Sequence, residues 1–168
     1  PATSVLVSNA VSQLNALNET IASLSEQMNS LSSSLPEYET VMSLYGVGSV
    51  LGSQLIAEIG DVSRFTHREA ITAFAGVDPG VDESGQRINK SNKASKCGST
   101  RLRKTLFQIM TTLLQTAPED EPVYRFLDKK RREGKPYHVY MTAGANKFLR
   151  IYYGKVKEHL RNLEQQSV

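Results

Sequence analysis

The sequence predicts an all-α protein in which a coiled-coil helix over residues 1–36 precedes a compact helical domain over 37–168. That domain contains a helix-hairpin-helix and a long basic loop. Three observations carry this. A seven-residue apolar repeat runs through the first segment, with Val7, Leu14, Ile21, Met28 and Leu35 in one register and Ala10, Leu17, Leu24 and Leu31 in the other. Apolar stripes of helical period, punctuated by Gly, Pro and capping residues, recur from Val41 to Leu163. No alternating strand pattern is present, save for a small hairpin between Ser84 and Ile88.

The heptad repeat defines an a/d seam on a helix whose other faces are Ser, Asn, Gln and Thr. The seam is too narrow to cover itself and calls for a second helix, either a copy of itself or the other arm of a hairpin. Pro36 marks its end. The next stretch reads as two helices joined at Gly46-Val47-Gly48, the pattern of a helix-hairpin-helix packed through Leu44, Val47, Leu51, Leu55 and Ile56. Its glycines allow a tight turn whose backbone N–H groups, with the next helix N-terminus, form an anion site. Gly46 and Gly48 are therefore candidate phosphate contacts, against a structural turn with no Lys or Arg beside it. Gly60 closes this helix.

Thr66-x-x-Glu69 reads as a capping box opening a short helix that ends near Ala75. After the loop, Ser99 caps a helix from Thr100 to about Gln115, whose Leu102, Leu106, Ile109, Met110 and Leu113 form a core stripe. Arg101, Arg103 and Lys104 crowd its first turn, opposing the helix dipole, so a negative group is expected nearby. Pro118 and Pro122 frame another helix that ends in the basic run Lys129 to Lys135. The last helix spans about Tyr137 to Leu163. Its Ala143, Gly144 and Ala145 permit a close helix crossing, and its Tyr152-Tyr153 pair reads as core.

Composition bounds the function. With 39% hydrophobic and 22% charged residues in 168, the chain is globular. It lacks an apolar run long enough to span a bilayer, so no membrane role is expected. Cys97 stands alone and His67, His138 and His159 lack metal-ligand spacing; a reducing, cytoplasmic setting is the default. The start at Pro1, without Met or a basic leader, reads as part of a longer protein. Net charge is +3, yet residues 1–63 hold six acids and no Lys or Arg. All 20 basic residues fall in 64–168 against eleven acids, the footprint of a polyanion binder or of a solvated basic face.

The organising stretch is 75–106. It joins a Gly/Pro turn, the acids Asp78, Asp82 and Glu83, the Ser84-Gly85 step, and seven basic residues: Arg87, Lys90, Lys93, Lys96, Arg101, Arg103 and Lys104. A segment this long with little to bury is a working loop. Residues 82–96 are expected to be mobile until a polyanion or partner domain orders them.

Four pieces then coincide: G-V-G opening an A-E-I-G-D helix (Gly46 to Asp61), R-F (Arg64, Phe65), A-G-V-D-P…E-S-G (Ala75 to Gly85) and S-K-x-G-S-x-x-L-R (Ser95 to Arg103). With G-K-P (Gly134 to Pro136) and K-x-L-R (Lys147 to Arg150), the chain over about 41–160 resembles the C-terminal transposase domain of the DEDD insertion-sequence transposases, the bridge-RNA-guided serine recombinases. That resemblance implies a preceding RuvC-like domain with metal-binding carboxylates, linked by a long coiled coil whose second arm would be 1–36. It implies a serine nucleophile, which the E/x-S-G signature puts at Ser84, with Ser99 as rival. Tyr45 stands where Pro is usual and Cys97 where Arg is usual. The resemblance further implies DNA as substrate, a guide RNA, homo-oligomers through the coiled coil, and a divalent metal (Mg) in the absent carboxylate domain. No cofactor is expected in this chain, which alone would be inert. A non-catalytic helix-hairpin-helix module that binds nucleic acid is the alternative, and an oligomerisation fragment with a solvated basic half is a third reading.

Overall fold

The computed structural model describes residues 2–79, 94–166 and, as backbone, 83–84 and 87–88. The all-α expectation holds. Seven helices run in order: α1 (Ala2–Ser33), α2 (Tyr38–Met42), α3 (Ser49–Ile59), α4 (Arg68–Ala75), α5 (Thr100–Thr116), α6 (Pro122–Arg132) and α7 (Tyr137–Gln166). A 3-10 turn at Val62–Arg64 precedes α4, and a minimal ladder of β1 (Glu83–Ser84) and β2 (Arg87–Ile88) lies between α4 and α5.

α5 and α7 form the centre, with α3, α4 and α6 packed around them. The α5 stripe read from the sequence, Leu102, Leu106, Ile109, Met110 and Leu113, is fully buried. It meets Met141, Phe148, Leu149 and Tyr152 of α7, and Leu55 and Ile59 of α3, in one core. Each such side chain contributes about 1.5–3 kcal/mol. Gly144 allows α6 to cross α7 closely, since a Cβ there would come within 2.4 Å of the Leu127 side chain. Tyr152 and Tyr153 are both buried, as read. The Arg64-Phe65 pair is structural: the Arg64 guanidinium lies 4.6 and 4.5 Å from the ring centres of Phe65 and Phe74.

Two boundaries differ from expectation. α4 is capped by His67, whose Nδ1 accepts the Ala70 N–H at 3.2 Å, and not by Thr66. Glu69 accordingly does not reach back to a cap; its Oε1 accepts from Arg68 at 2.9 Å and from Arg150 of α7 at 3.2 Å. α1 stops at Ser33, before Pro36, where the Ser33 and Ser34 hydroxyls donate to the carbonyls of Ser30 and Leu31. Only its last turns dock on the domain, through a polar face. Ser32 is buried, and Asn29 Oδ1 accepts from Tyr38 Oη at 2.8 Å and from Ser53 Oγ at 3.4 Å. The seam is left open, with Leu14, Leu17, Ile21 and Leu24 between 54% and 60% exposed.

The turn at Gly46–Gly48 joins α2 to α3, but α2 has only five residues, shorter than a helix-hairpin-helix arm. Gly46, at φ +80°, lies against α5: a Cβ there would sit 3.0 Å from both Ile109 O and Leu113 Cγ. Its conformation and its lack of a side chain both serve packing.

The foot of the organising loop is built as a crossing of two backbones. Gly76, at φ +65°, ends α4 in the left-handed conformation, and Val77 N–H donates back to Thr72 O at 3.1 Å. The returning chain then lies across this end. Ser95 N–H donates to Asp78 O at 3.0 Å, Lys96 N–H to Gly76 O at 3.1 Å and Ser99 N–H to Phe74 O at 2.8 Å. Pro79 and Ala94 form a bridge. Residues 94–96, counted in the expected mobile segment, are thus fixed, because their backbone pairs with 76–79; 80–82, 85–86 and 89–93 lie outside the described residues. At Gly98 a Cβ would stand 2.3 Å from Phe74 O and 2.7 Å from Gly76 N, so only glycine fits. Gly98→Ala is therefore expected to destabilise the chain by about 1–3 kcal/mol, as for other overpacked sites. Denaturant unfolding checks this, and an unchanged midpoint and slope would contradict it.

Candidate functional site

The ladder above the crossing pairs Ser84 with Arg87 and Glu83 with Ile88, antiparallel, so the small hairpin read from the sequence is present. Lys90 and Lys93 fall outside the described residues. Lys96 stands at the hairpin foot with its side chain exposed and its backbone at φ 53°, the one non-glycine residue with positive φ among those described. Such a conformation costs of order 1–3 kcal/mol and persists where surrounding contacts impose it. Here the bond from its N–H to Gly76 O and the Gly98 crossing do so.

Ser99, the rival serine, is the cap of α5. Its Oγ accepts the Leu102 N–H at 3.1 Å and donates to Glu58 Oε2 at 3.0 Å, so its hydroxyl is engaged in both senses. Glu58, at the end of α3, is the negative group that the cationic first turn of α5 called for.

The α5 cations divide into two kinds. Arg103 is half-buried and bound to protein: Nη1 donates to Ala75 O at 3.0 Å and Gly98 O at 3.3 Å, and Nη2 to Thr100 Oγ1 at 3.2 Å. Its planar fork ties both sides of the crossing, a task a lysine ammonium could not repeat. Arg101 and Lys104 are exposed and, with Lys96, have no acidic partner among the described residues. The basic run of α6 is different. Asp128 accepts from Arg131 at 3.1 Å and Arg132 at 2.8 Å, and Glu133 from Lys130 at 2.8 Å, so three cations of the run share two acids on their own helix, while Lys129 and Lys135 form no ion pair among the described residues.

Gly46 and Gly48 do not join this cluster. α3 and α5 run antiparallel, with Glu58 against Ser99 at one end and Gly46 against Ile109 and Leu113 at the other. Roughly 15 Å of helix separates the glycine turn from the cations. Gly48 caps α3 without a side-chain bond and, with Ser49 and Val50, is exposed.

Sequence reasoning missed three positioning residues. Asn146 of α7 donates to Val77 O at 3.3 Å and fixes the crossing to the core. Phe107 and His138 line a cleft beside Lys96 and Lys104. The signal for Phe107 was present, since it lies off the α5 core stripe and three residues after Lys104. No three His, Cys, Asp or Glu residues come together where a metal could be held, among the described residues. No described helix is long and apolar enough to cross a membrane.

Several known proteins are similar to this chain. The chain is 27% identical, over 72% of its length and 30% of the relative's, to an uncharacterized 42 kDa protein of insertion element IS900 from Mycobacterium paratuberculosis. It is 23% identical, over 92% of its length and 37% of the relative's, to an uncharacterized 43.6 kDa protein of insertion element IS110 from Streptomyces coelicolor. A pilin gene-inverting protein of Moraxella bovis is 25% identical over 84% of this chain and 45% of that protein. The chain thus spans about a third of the insertion-element relatives and under half of the pilin gene-inverting protein. Residues 38–125, just over half of the chain, match the Transposase IS116/IS110/IS902 family, and the chain belongs to that family.

Proposed function

We propose that this chain is the C-terminal part of a DNA transposase or recombinase of the bridge-RNA-guided serine type, and that it holds DNA and supplies Ser84 as nucleophile. The observation that carries this is the anchored hairpin. Two of the pieces that carry the resemblance, A-G-V-D-P and S-K-x-G-S-x-x-L-R, cross there, and Ser84 and Arg87 form the closing pair of the ladder between them. Ser99, by contrast, has its hydroxyl committed to a cap and to Glu58.

In the reaction, Ser84 Oγ attacks a DNA phosphorus. An Oγ–P bond forms, one P–O bond to deoxyribose breaks, and the freed sugar oxygen takes up a proton as it leaves. Rejoining runs the same step backwards, with a strand hydroxyl attacking the phosphoserine and the proton returning to Oγ. Serine is a weak nucleophile at its ordinary pKa and needs a base. That base, and the divalent metal (Mg), are assigned to a RuvC-like carboxylate domain outside this chain. The described residues do not fit a metal, and no step of this chain's part runs through one. Positive charge around the phosphoryl oxygens does most of the remaining work in phosphoryl transfer. Arg87, Lys90, Lys93, Lys96, Arg101 and Lys104 supply it, while Gly46 and Gly48 offer amide donors to a more distant phosphate. A guide RNA is the expected second nucleic acid. In the full-length protein, Ser84→Ala should abolish the covalent protein–DNA adduct and leave DNA affinity within about twofold, whereas Ser99→Ala should cost about 1 kcal/mol of stability as a lost cap. An adduct that survives Ser84→Ala and disappears in Ser99→Ala would overturn the assignment.

The open seam of α1 is assigned to a second helix, and in this chain alone to a second copy. Burying it at roughly 25 cal/mol per Å² of apolar surface favours pairing. Sedimentation should show concentration-dependent dimers that Leu24→Asp shifts towards monomer; a monomer at every concentration would contradict this.

A further inference from the structure

Between the first turns of α5, the start of α7 and the foot of the hairpin lies a cleft of about 410 Å³. Phe107 forms a half-buried wall, His138 and Thr142 of α7 face it, and Lys96 and Lys104 stand on its rim with Arg103 behind. The lining combines an aromatic surface with cations that have no acidic partner among the described residues. Its volume lies in the range of pockets that enclose small organic ligands. The Arg103 guanidinium is held by Ala75 O, Gly98 O and Thr100, and the Lys96 backbone by Gly76 O, so the walls are fixed in advance.

We propose that this cleft receives one unpaired nucleotide of a nucleic-acid strand, its base against Phe107 and His138 and its flanking phosphates on Lys96 and Lys104. The proposal rests on the nucleic-acid reading above and adds to it a pocket for a base. A duplex buries its base faces in its own stack, so an aromatic wall gains nothing from paired DNA. An unpaired strand offers a π-face and an adjacent phosphate, and the cleft holds a partner for each. Thr142 supplies a hydroxyl to the base edge. The cleft includes Ala94 of the Pro79–Ala94 bridge, at the foot of the hairpin that carries Ser84.

The test uses this chain and a fluorescein-labelled twelve-nucleotide strand, presented as single-stranded DNA, as single-stranded RNA, and as duplex DNA, over a salt series. Phe107→Leu, which keeps the apolar packing, should weaken single-strand binding about 5- to 150-fold, the range for loss of one stacked base, and leave duplex binding within about twofold. His138→Ala, at an exposed side chain, should weaken single-strand binding by a smaller factor in the same direction and guards against a folding defect in the first variant. Lys104→Gln should weaken every arm and lower the salt slope by about one. Preference of the wild type for one single strand identifies the source as DNA or RNA. Salt-dependent binding that neither Phe107→Leu nor His138→Ala alters would overturn the pocket while keeping the nucleic-acid reading. Absence of salt-dependent binding in all three arms would overturn both.

Discussion

The fold of the helical domain depends on one close approach of two backbones, where Gly98 lies on the C-terminal end of α4. The carbonyls that end a helix need donors, and here the returning chain provides them: Ser99 N–H to Phe74 O and Arg103 to Ala75 O. A side chain at 98 would push the strands apart by more than an ångström and break both contacts. This explains why A-G-V-D-P and S-K-x-G-S-x-x-L-R occur together. The first turns the chain out of α4, the second brings it back over the same end, and Leu102 and Arg103 lock the result to the core and to the crossing.

The same crossing sorts the positive charge. Sequence counts alone place +9 in the last two-thirds of the chain. Among the described residues the structure separates cations spent on structure, such as Arg64 over two rings and Arg103 on protein oxygens, cations paired on their own helix, as in part of α6, and exposed cations without an acidic partner, Lys96, Arg101 and Lys104 among them. Of these, Lys96 and Lys104 line the cleft at the hairpin foot. Glu58 offsets the effect of the α5 cations on the helix dipole through Ser99 and leaves the exposed ammonium and guanidinium groups facing outward.

Much of the fold was legible because it depends on local rules. The buried stripe of α5, its Ser99 cap, the proline-framed start of α6 and the small-residue crossing of α7 follow from periodicity and capping chemistry, and all appear where the sequence puts them. What was not legible depends on partners distant in sequence. His67 takes the α4 cap, and Glu69 pairs instead with Arg68 and with Arg150, which lies 81 residues away. The role of Arg103 is set by carbonyls at 75 and 98, and that of Gly46 by α5, neither of which a local pattern reveals. α1 docks through Asn29 and Ser32, on a polar face that the heptad reading set aside. For the candidate site, the sequence located the loop and its cations but not the aromatic cleft beside them, since Phe107 and His138 meet only when α5 and α7 pack.

The hairpin foot is a preformed structural element and not a loop ordered by its ligand. Hydrogen exchange at the Lys96 and Ser99 amides, in the chain free of nucleic acid, tests it most directly. Both should be protected to the level of the α5 core amides, because their acceptors, Gly76 O and Phe74 O, are held by the crossing. Exchange at the rate of an unstructured peptide, with protection gained only on adding DNA or RNA, would contradict it.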